Sequence, residues 1–212
     1  MLFDFATLSS NLRYKLLVST IVPRPIAWVV SQDVGGLLNA APYSFFNALS
    51  ADPPVVGIGI GRRSSGHAKD TRANIIETGE FVVNLVSEET ASAMNVTAIE
   101  FEPEVNELAE ARLTVCPSVR VKPPRIAESP VAMECTLVQM VDLGPNSGIA
   151  LGRVLAMHVC DEAVLDQANA YLDTPALKLI GRMHGTGWYA RTSDRFEMPR
   201  IPVSDWKPER DR

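Results

Sequence analysis

The stretch that decides the fold spans residues 20–71 and reads TIVPRPIAWVVSQDVGGLLNAAPYSFFNALSADPPVVGIGIGRRSSGHAKDT. Two apolar runs within it, residues 26–30 and 55–60, predict strands. Because the first run hardly alternates with polar residues, it is typical of a strand buried on both faces, as in a small closed barrel. A turn at residues 33–36, whose two glycines can adopt positive φ, then predicts a return leg over residues 37–47.

A basic loop follows the second strand, in a chain whose formal net charge is −5. Between residues 61 and 72 a single acidic residue, Asp70, accompanies four basic ones: Arg62, Arg63, Lys69 and Arg72. Alone, such a cluster is more often a solvated loop than an anion site. Residues 70–78, however, predict a helix, with Asp70 as its N-cap and Gly79 at its C′ position. Because helix N-termini favour anions, the two features together predict a phosphate site where loop and helix meet.

The remaining chain predicts more strands than helices. Strands are expected over residues 80–85, 131–142 and 149–160, the last two forming a hairpin. Residues 12–17 indicate a short strand or turn, and Ser87 is expected to cap a helix. The predicted fold class is therefore mainly β with short helices, arranged as a β-barrel with helical insertions. We expect a single domain over the whole chain, residues 1–212, with its core at about 19–191 and a C-terminal arm at about 192–212.

An acidic segment, residues 101–112, carries four glutamates among few apolar residues. They are Glu102, Glu104, Glu107 and Glu110. Carboxylates in such a segment are far more often solvated than catalytic, so we expect a partly helical surface segment and no acid–base pair there.

The composition excludes several classes of protein. A net charge of −5 argues against a general nucleic-acid binder, which needs a broad basic face. The three cysteines, Cys116, Cys135 and Cys160, have no metal-ligand spacing, and their odd number fits reduced thiols in the cytoplasm. No apolar run approaches the ~20 residues that cross a bilayer, and the first residues show no export signal. We therefore expect a cytoplasmic protein without metal, membrane or nucleic-acid partners.

Several motifs, in order along the chain, resemble the flavin reductase-like family. They are Pro-Arg-Pro-Ile at residues 23–26, Asn-Ala-Ala-Pro-Tyr-Ser-Phe-Phe-Asn at 39–47, Asp-Pro-Pro at 52–54, Lys-Asp-Thr at 69–71 and Glu-Phe-Val-Val-Asn at 80–84. The resemblance covers roughly residues 19–191 of a chain of 212, and the family includes flavoredoxin and the reductase components of two-component monooxygenases. It implies an FMN-binding split β-barrel that forms a homodimer, with the flavin near the subunit interface.

The resemblance also assigns site residues. It implies that the isoalloxazine is bordered by Arg24 and Pro25. It also implies that the flavin is lined, and its polar edge or ribityl chain hydrogen-bonded, by Ala41, Ser44 and Asn47. Those implied to hold the phosphate are Lys69 and Thr71, helped by Arg62 or Arg63. For three aromatic residues near the end of the core, packing and ligand contact stay equally open: His184, Trp188 and Tyr189.

Three functions follow from the resemblance. In the first, NADH or NADPH transfers a hydride to flavin N5, a step that demands no separate catalytic acid or base, so no catalytic residue is assigned. In the second, the protein is a flavoredoxin-type electron carrier whose FMN stays bound and exchanges electrons with a protein partner. In the third, the flavin site serves only structure or storage, or binds another ligand. A monooxygenase or an electron-transfer protein is the expected partner of the first two.

Overall fold

The computed structural model describes residues 1–62, 68–145 and 147–206. Its longer strands are β1 (Ala27–Gln32), β2 (Leu38–Tyr43), β3 (Phe46–Ala51), β4 (Pro54–Gly61), β5 (Glu80–Leu85), β8 (Val131–Asp142) and β9 (Ser147–Val159). Short strands are β6 (Val115–Cys116), β7 (Arg125–Ile126), β10 (Val164–Asp166), β11 (Tyr171–Leu172), β12 (Ile180–Arg182) and β13 (Tyr189–Arg191). The helices are α1 (Ser10–Thr20), α2 (Asp70–Thr78), α3 (Ala91–Val96) and α4 (Glu107–Glu110), with 3₁₀ turns at Asp161–Ala163, Thr174–Leu177 and Val203–Asp205.

The seven longer strands form one antiparallel sheet in the order β2-β1-β5-β8-β9-β4-β3. Its two edge strands, β2 and β3, are consecutive in the chain and separated only by Ser44 and Phe45. Because so short a link spans at most about 11 Å, the sheet must curl until its edges lie close together. No ladder joins β2 to β3 within the described residues, so the barrel stays open along this line. This is a split β-barrel, and the predicted fold class is confirmed.

The core has two layers because β1 and β5 are buried on both faces, as the apolar run at residues 26–30 predicts. One face of β1, with Ala27 and Val29, packs inside the barrel against β4, β8 and β9. The other face, with Trp28 and Val30, packs against α3 and α4 through Met94 and other residues of the outer cluster. Burying both faces of these strands removes large apolar area from water and so stabilises this part of the sheet.

Three local predictions are corrected by the structure. Residues 12–17 lie within α1, which has no apolar stripe to reveal it; the side chain of Ser9 caps it by accepting from the N–H of Leu12. The N-cap of α2 is Lys69, and Asp70 is its first helical residue. Ser87 bonds Thr90 in a turn that precedes α3, and Thr90, not Ser87, stands at the N-cap position of that helix. Gly79 does end α2, in the left-handed conformation at φ 72°.

Candidate functional site

A pocket of about 220 Å³ lies between β2 and the start of α2. Its wall is formed by side chains from β2, from the start of α2, from α4 and from residues 97–100. Those used below are Asn39, Ala41, Tyr43, Lys69, Thr71 and Glu107. Of the residues implied to contact the flavin, Ala41 on β2 and Lys69 and Thr71 at the start of α2 therefore line the same pocket.

Lys69 supplies the positive charge of this pocket. Its Nζ lies 5.4 Å from the centroid of the Tyr43 ring, where a cation is attracted to the aromatic face. As N-cap of α2 it also stands at the helix end that carries partial positive charge and N–H groups without intrahelical partners. A lysine and a helix N-terminus at one place favour an anion there.

A chain of buried polar groups from α2, β2 and α4 forms one wall of the pocket. The hydroxyl of Thr71 donates to Oδ1 of Asn39 over 2.6 Å, and Nδ2 of Asn39 donates to Oε1 of Glu107 over 2.8 Å. The backbone N–H of Ala40 donates to Oε2 of Glu107 over 3.0 Å. All three polar side chains are buried, with relative exposures of 1%, 8% and 6% for Thr71, Asn39 and Glu107. Such a connected set holds its members in fixed orientations.

Glu107 is the residue that sequence analysis places wrongly. Glu102, Glu104 and Glu110 are exposed as expected, but Glu107 is buried because α4 packs on β2 and places this carboxyl against Asn39 and Ala40. Burial raises the pKa of the Glu107 carboxyl; its hydrogen bonds to Ala40 and Asn39 oppose this, and the nearby Asp70 adds to it. Only the apolar residue that follows, Leu108, hints in the sequence that this turn faces the core.

Two hydrogen bonds of Thr97 hold the loop at residues 97–100 in place. The indole Nε1–H of Trp28 donates to the hydroxyl oxygen of Thr97 over 2.8 Å, and that hydroxyl donates to the carbonyl of Met94 over 2.8 Å. Both side chains are buried, so this part of the pocket wall is fixed to the centre of β1.

Arg24 is held away from this pocket. Its buried guanidinium donates to the carbonyls of Val18 (2.7 Å), Ile21 (2.9 Å) and Met183 (2.9 Å), and to the hydroxyl of Ser44 at 3.3 Å. It thereby ties the end of α1, the link between β2 and β3, and the β12–β13 hairpin together. Burial lowers the pKa of this guanidinium.

Arg24 and Pro25 line a second, mostly apolar cleft of about 210 Å³, formed with residues of β5 and β12. Ser44 contacts Arg24 of this cleft, because its hydroxyl oxygen accepts the hydrogen bond from the guanidinium. The structure therefore places the residues predicted for the isoalloxazine in a cleft separate from the one that contains Ala41, Lys69 and Thr71. Their part in flavin binding stays a prediction.

The other predicted residues lie elsewhere. Asn47 is exposed on β3, with its Oδ1 accepting from the N–H of Ala48. Arg62 donates through Nε to the carbonyl of Pro145 and lines a small pocket of about 50 Å³. Arg63 lies outside the described residues.

The β12–β13 hairpin carries the aromatic residues whose role is open. Trp188 is exposed and stacks on His184, with ring centroids 6.4 Å apart and planes inclined by 15°. Arg182 supports this loop from within the hairpin: it donates to the carbonyls of Trp188 and Gly185, and its guanidinium lies 4.8 Å from the Tyr189 ring centroid. The hairpin thus presents an ordered aromatic surface rather than a packed core element.

Across residues 1–62, 68–145 and 147–206, no three His, Cys, Asp or Glu side chains are grouped to hold a metal ion. No helix in this part of the chain has the length and apolar character needed to cross a membrane.

Comparison with known proteins identifies relatives of this architecture. The family described as "Flavin reductase like domain" matches residues 18–175. Nitrilotriacetate monooxygenase component B from Bacillus cereus is 34% identical, with a TM-score of 0.87 over 93% of this chain and 98% of that one. The 2-nitrobenzoate 2-nitroreductase NbaA of Pseudomonas fluorescens is 32% identical, with a TM-score of 0.86 over 96% of this chain and 97% of that one. A protein from Shewanella frigidimarina with a split barrel domain shares the fold at 22% identity and a TM-score of 0.79, over 95% and 100% of the two chains.

Proposed function

The chain belongs to the flavin reductase-like family, a family of flavin-binding proteins, and from this membership we propose that it binds FMN and catalyses its reduction by NADH or NADPH. The observation that carries the proposal is the shared pocket: β2 and Lys69 at the start of α2 line one cavity. A planar ring and an anionic end on one ligand need an apolar or aromatic wall and a cationic end within reach of each other.

The residues of the pocket fit FMN. Lys69 and the N–H groups at the start of α2 would take the phosphate, since both favour a dianion. Ala41 and Tyr43 of β2 offer small and aromatic surface to the flavin. The cavity of about 220 Å³ is smaller than the ~300–1,000 Å³ of pockets that enclose a whole ligand, so part of the cofactor would lie outside it. A second subunit covering that part is the reason to propose a homodimer.

When bound, FMN supplies the redox chemistry, with a reduced nicotinamide as hydride donor. The task of this chain is to bind and orient the cofactor and to leave one face of the ring accessible. Lys69 fixes the phosphate end, and the anchored wall of residues 97–100 keeps the pocket in a defined shape. None of these side chains is required to transfer a proton, so the proposal assigns binding residues and no catalytic residue.

A monooxygenase is the partner that similarity supports. The relative from Bacillus cereus is a component of nitrilotriacetate monooxygenase and covers nearly the whole chain. We propose that reduced flavin formed here is delivered to such an oxygenase. Cys116, Cys135 and Cys160 are unpaired thiols, which supports action in the cytoplasm.

The test is the visible spectrum of the purified protein, before and after adding FMN and then NADH or NADPH without oxygen. We expect a bound-flavin spectrum that bleaches on addition of one of the two nucleotides at a catalytic rate. Bound flavin that bleaches only with a reduced protein or dithionite would identify an electron carrier instead. Protein that takes up no FMN would contradict the proposed function.

A further inference from the structure

In the hydrogen-bonded chain Thr71–Asn39–Glu107, the group at the Glu107 end decides which atom donates and which accepts in each bond. Both oxygens of Glu107 accept hydrogen bonds, Oε2 from the backbone N–H of Ala40 and Oε1 from Nδ2 of Asn39. The Asn39 amide must therefore turn its NH₂ group toward Glu107. This leaves its carbonyl oxygen, an acceptor, facing Thr71.

The single hydroxyl proton of Thr71 is therefore used in the hydrogen bond to Asn39. It is donated to Asn39 over 2.6 Å, so Thr71 can offer a ligand only the lone pairs of its oxygen. Glu107, which lines the same pocket, likewise offers only acceptor oxygens. This wall therefore has acceptors for a hydroxyl group and, in these side chains, no donor for a phosphate oxygen.

We propose that Glu107 is a positioning residue which, through Asn39, makes the Thr71 hydroxyl an acceptor, so that this wall selects the hydroxyls of a polyol chain while Lys69 selects the phosphate. The proposal rests on the proposed function, in which the polyol is the ribityl chain of FMN. It reassigns the side chain of Thr71 from the phosphate to the ribityl chain. A carboxylate would repel a phosphate on this wall, whereas Lys69 attracts one.

The substitution Glu107→Gln reverses the direction of the chain without changing its size. Ala40 would donate to the carbonyl oxygen of the substituted amide, and the NH₂ group of that amide would then donate to the Asn39 carbonyl. Asn39 would turn its own NH₂ group toward Thr71, which frees the Thr71 proton to point into the pocket. Asn39 would then occupy one lone pair of the Thr71 oxygen, and the Thr71 proton would compete with the ligand hydroxyl that donates to this oxygen in the wild type.

Three flavins separate the two ends of the pocket: lumiflavin, which lacks the ribityl chain, riboflavin, which has it, and FMN, which adds the phosphate. For Glu107→Gln we expect dissociation constants about tenfold higher for riboflavin and FMN, the effect of one hydrogen bond to a polar partner, and no change for lumiflavin. Thr71→Val, which removes the hydroxyl and keeps the shape, should give the same pattern. Glu110→Gln is the matched control, because Glu110 lies on the same short helix and is exposed; it should change none of the three constants.

The flavin affinities of the variants test the role of Glu107, whereas those of the wild-type protein test the proposed function. Unchanged riboflavin affinity in Glu107→Gln and Thr71→Val, or equal weakening of all three flavins, would overturn the inference and leave FMN binding in place. Failure of the wild-type protein to bind any of the three would remove the proposed function, and the inference with it.

Discussion

Glu107 and Glu134 are both buried carboxylates, yet the fold moves their pKa values in opposite directions. Burial raises the pKa in each case. At Glu134 the N–H groups of Val119 and Arg120 and the ring of His158, whose Nε2 lies 2.6 Å from Oε1, outweigh burial and lower the pKa. At Glu107 the hydrogen bonds do not outweigh burial and the repulsion of Asp70, so the pKa is raised.

The difference separates a structural carboxylate from a candidate functional one. Glu134, fully buried in β8, fixes residues 119–120 against the sheet. Glu107 lines the pocket, and its ionised form is poorly compensated by the protein alone. Carboxylates left in that condition are concentrated at sites that bind or react.

The largest expected effect is on stability, from Glu134→Ala. Removing this fully buried carboxylate leaves the His158 ring and the N–H groups of Val119 and Arg120 without their acceptor, and we expect the free energy of unfolding in denaturant to fall by about 3–5 kcal/mol. Glu128→Ala is the matched control, because the Glu128 carboxylate also accepts a backbone N–H, from Thr114, but is exposed. It should cost about 1 kcal/mol or less. Equal losses in the two variants would mean that Glu134 has no special structural role.

The next effect is on ligand binding, from Lys69→Ala. Losing one charge-assisted contact should weaken FMN binding by about 1.5–3 kcal/mol and leave riboflavin binding unchanged, since riboflavin has no phosphate. Titration followed by flavin fluorescence measures both. Lys122→Ala, at an exposed lysine outside the pocket, is the control. Unchanged FMN affinity in Lys69→Ala would remove the phosphate assignment.

The pH dependence of stability should differ in sign between the two carboxylates. The lowered pKa of Glu134 stabilises the fold above the ordinary carboxyl value of 4.5, and this contribution is lost as pH falls through the lower folded value. The raised pKa of Glu107 has the opposite consequence, because the fold then favours the protonated acid. Relative to wild type, Glu107→Gln should therefore gain stability as pH rises from 4.5 through the raised folded value. Unfolding curves at several pH values test both; a Glu107→Gln difference that is constant with pH would show that its pKa is not raised.

The smallest effect is expected from Asp70→Asn. Asp70 is the minor cause of the raised pKa of Glu107, after burial. Its neutralisation lowers the folded pKa of Glu107, so the pH at which the stability gain of Glu107→Gln levels off should move slightly downward. Comparing the Asp70→Asn protein with its double variant carrying Glu107→Gln measures this shift, and an upward shift would contradict the assigned repulsion.

Strands are easier to predict from the sequence than the site. The strand at residues 26–30 can be predicted because a run of consecutive apolar residues marks a strand that is buried on both faces. The hairpin β8–β9 can be predicted because a glycine-containing turn lies between its two strands. Helix α1 is missed because no apolar stripe marks it; the guanidinium of Arg24, on a later segment, bonds its last carbonyls. Tertiary contacts of that kind leave no periodic signal.

Site residues could be predicted from the sequence only where the features that mark them are local in the chain. Lys69 could be predicted because its charge and the helix beside it are local features of the chain. Glu107 could not be distinguished from Glu110, three residues away, because only the packing of α4 on β2 decides which of them is buried. The partners of Arg24 likewise come from three separate segments.

A crystal structure of the protein with FMN would decide the proposed binding mode. We expect the phosphate beside Lys69 at the start of α2, the ribityl chain along Thr71 and Glu107, and the ring against β2. FMN bound in the apolar cleft beside Arg24 and Pro25, with its phosphate away from Lys69, would contradict it.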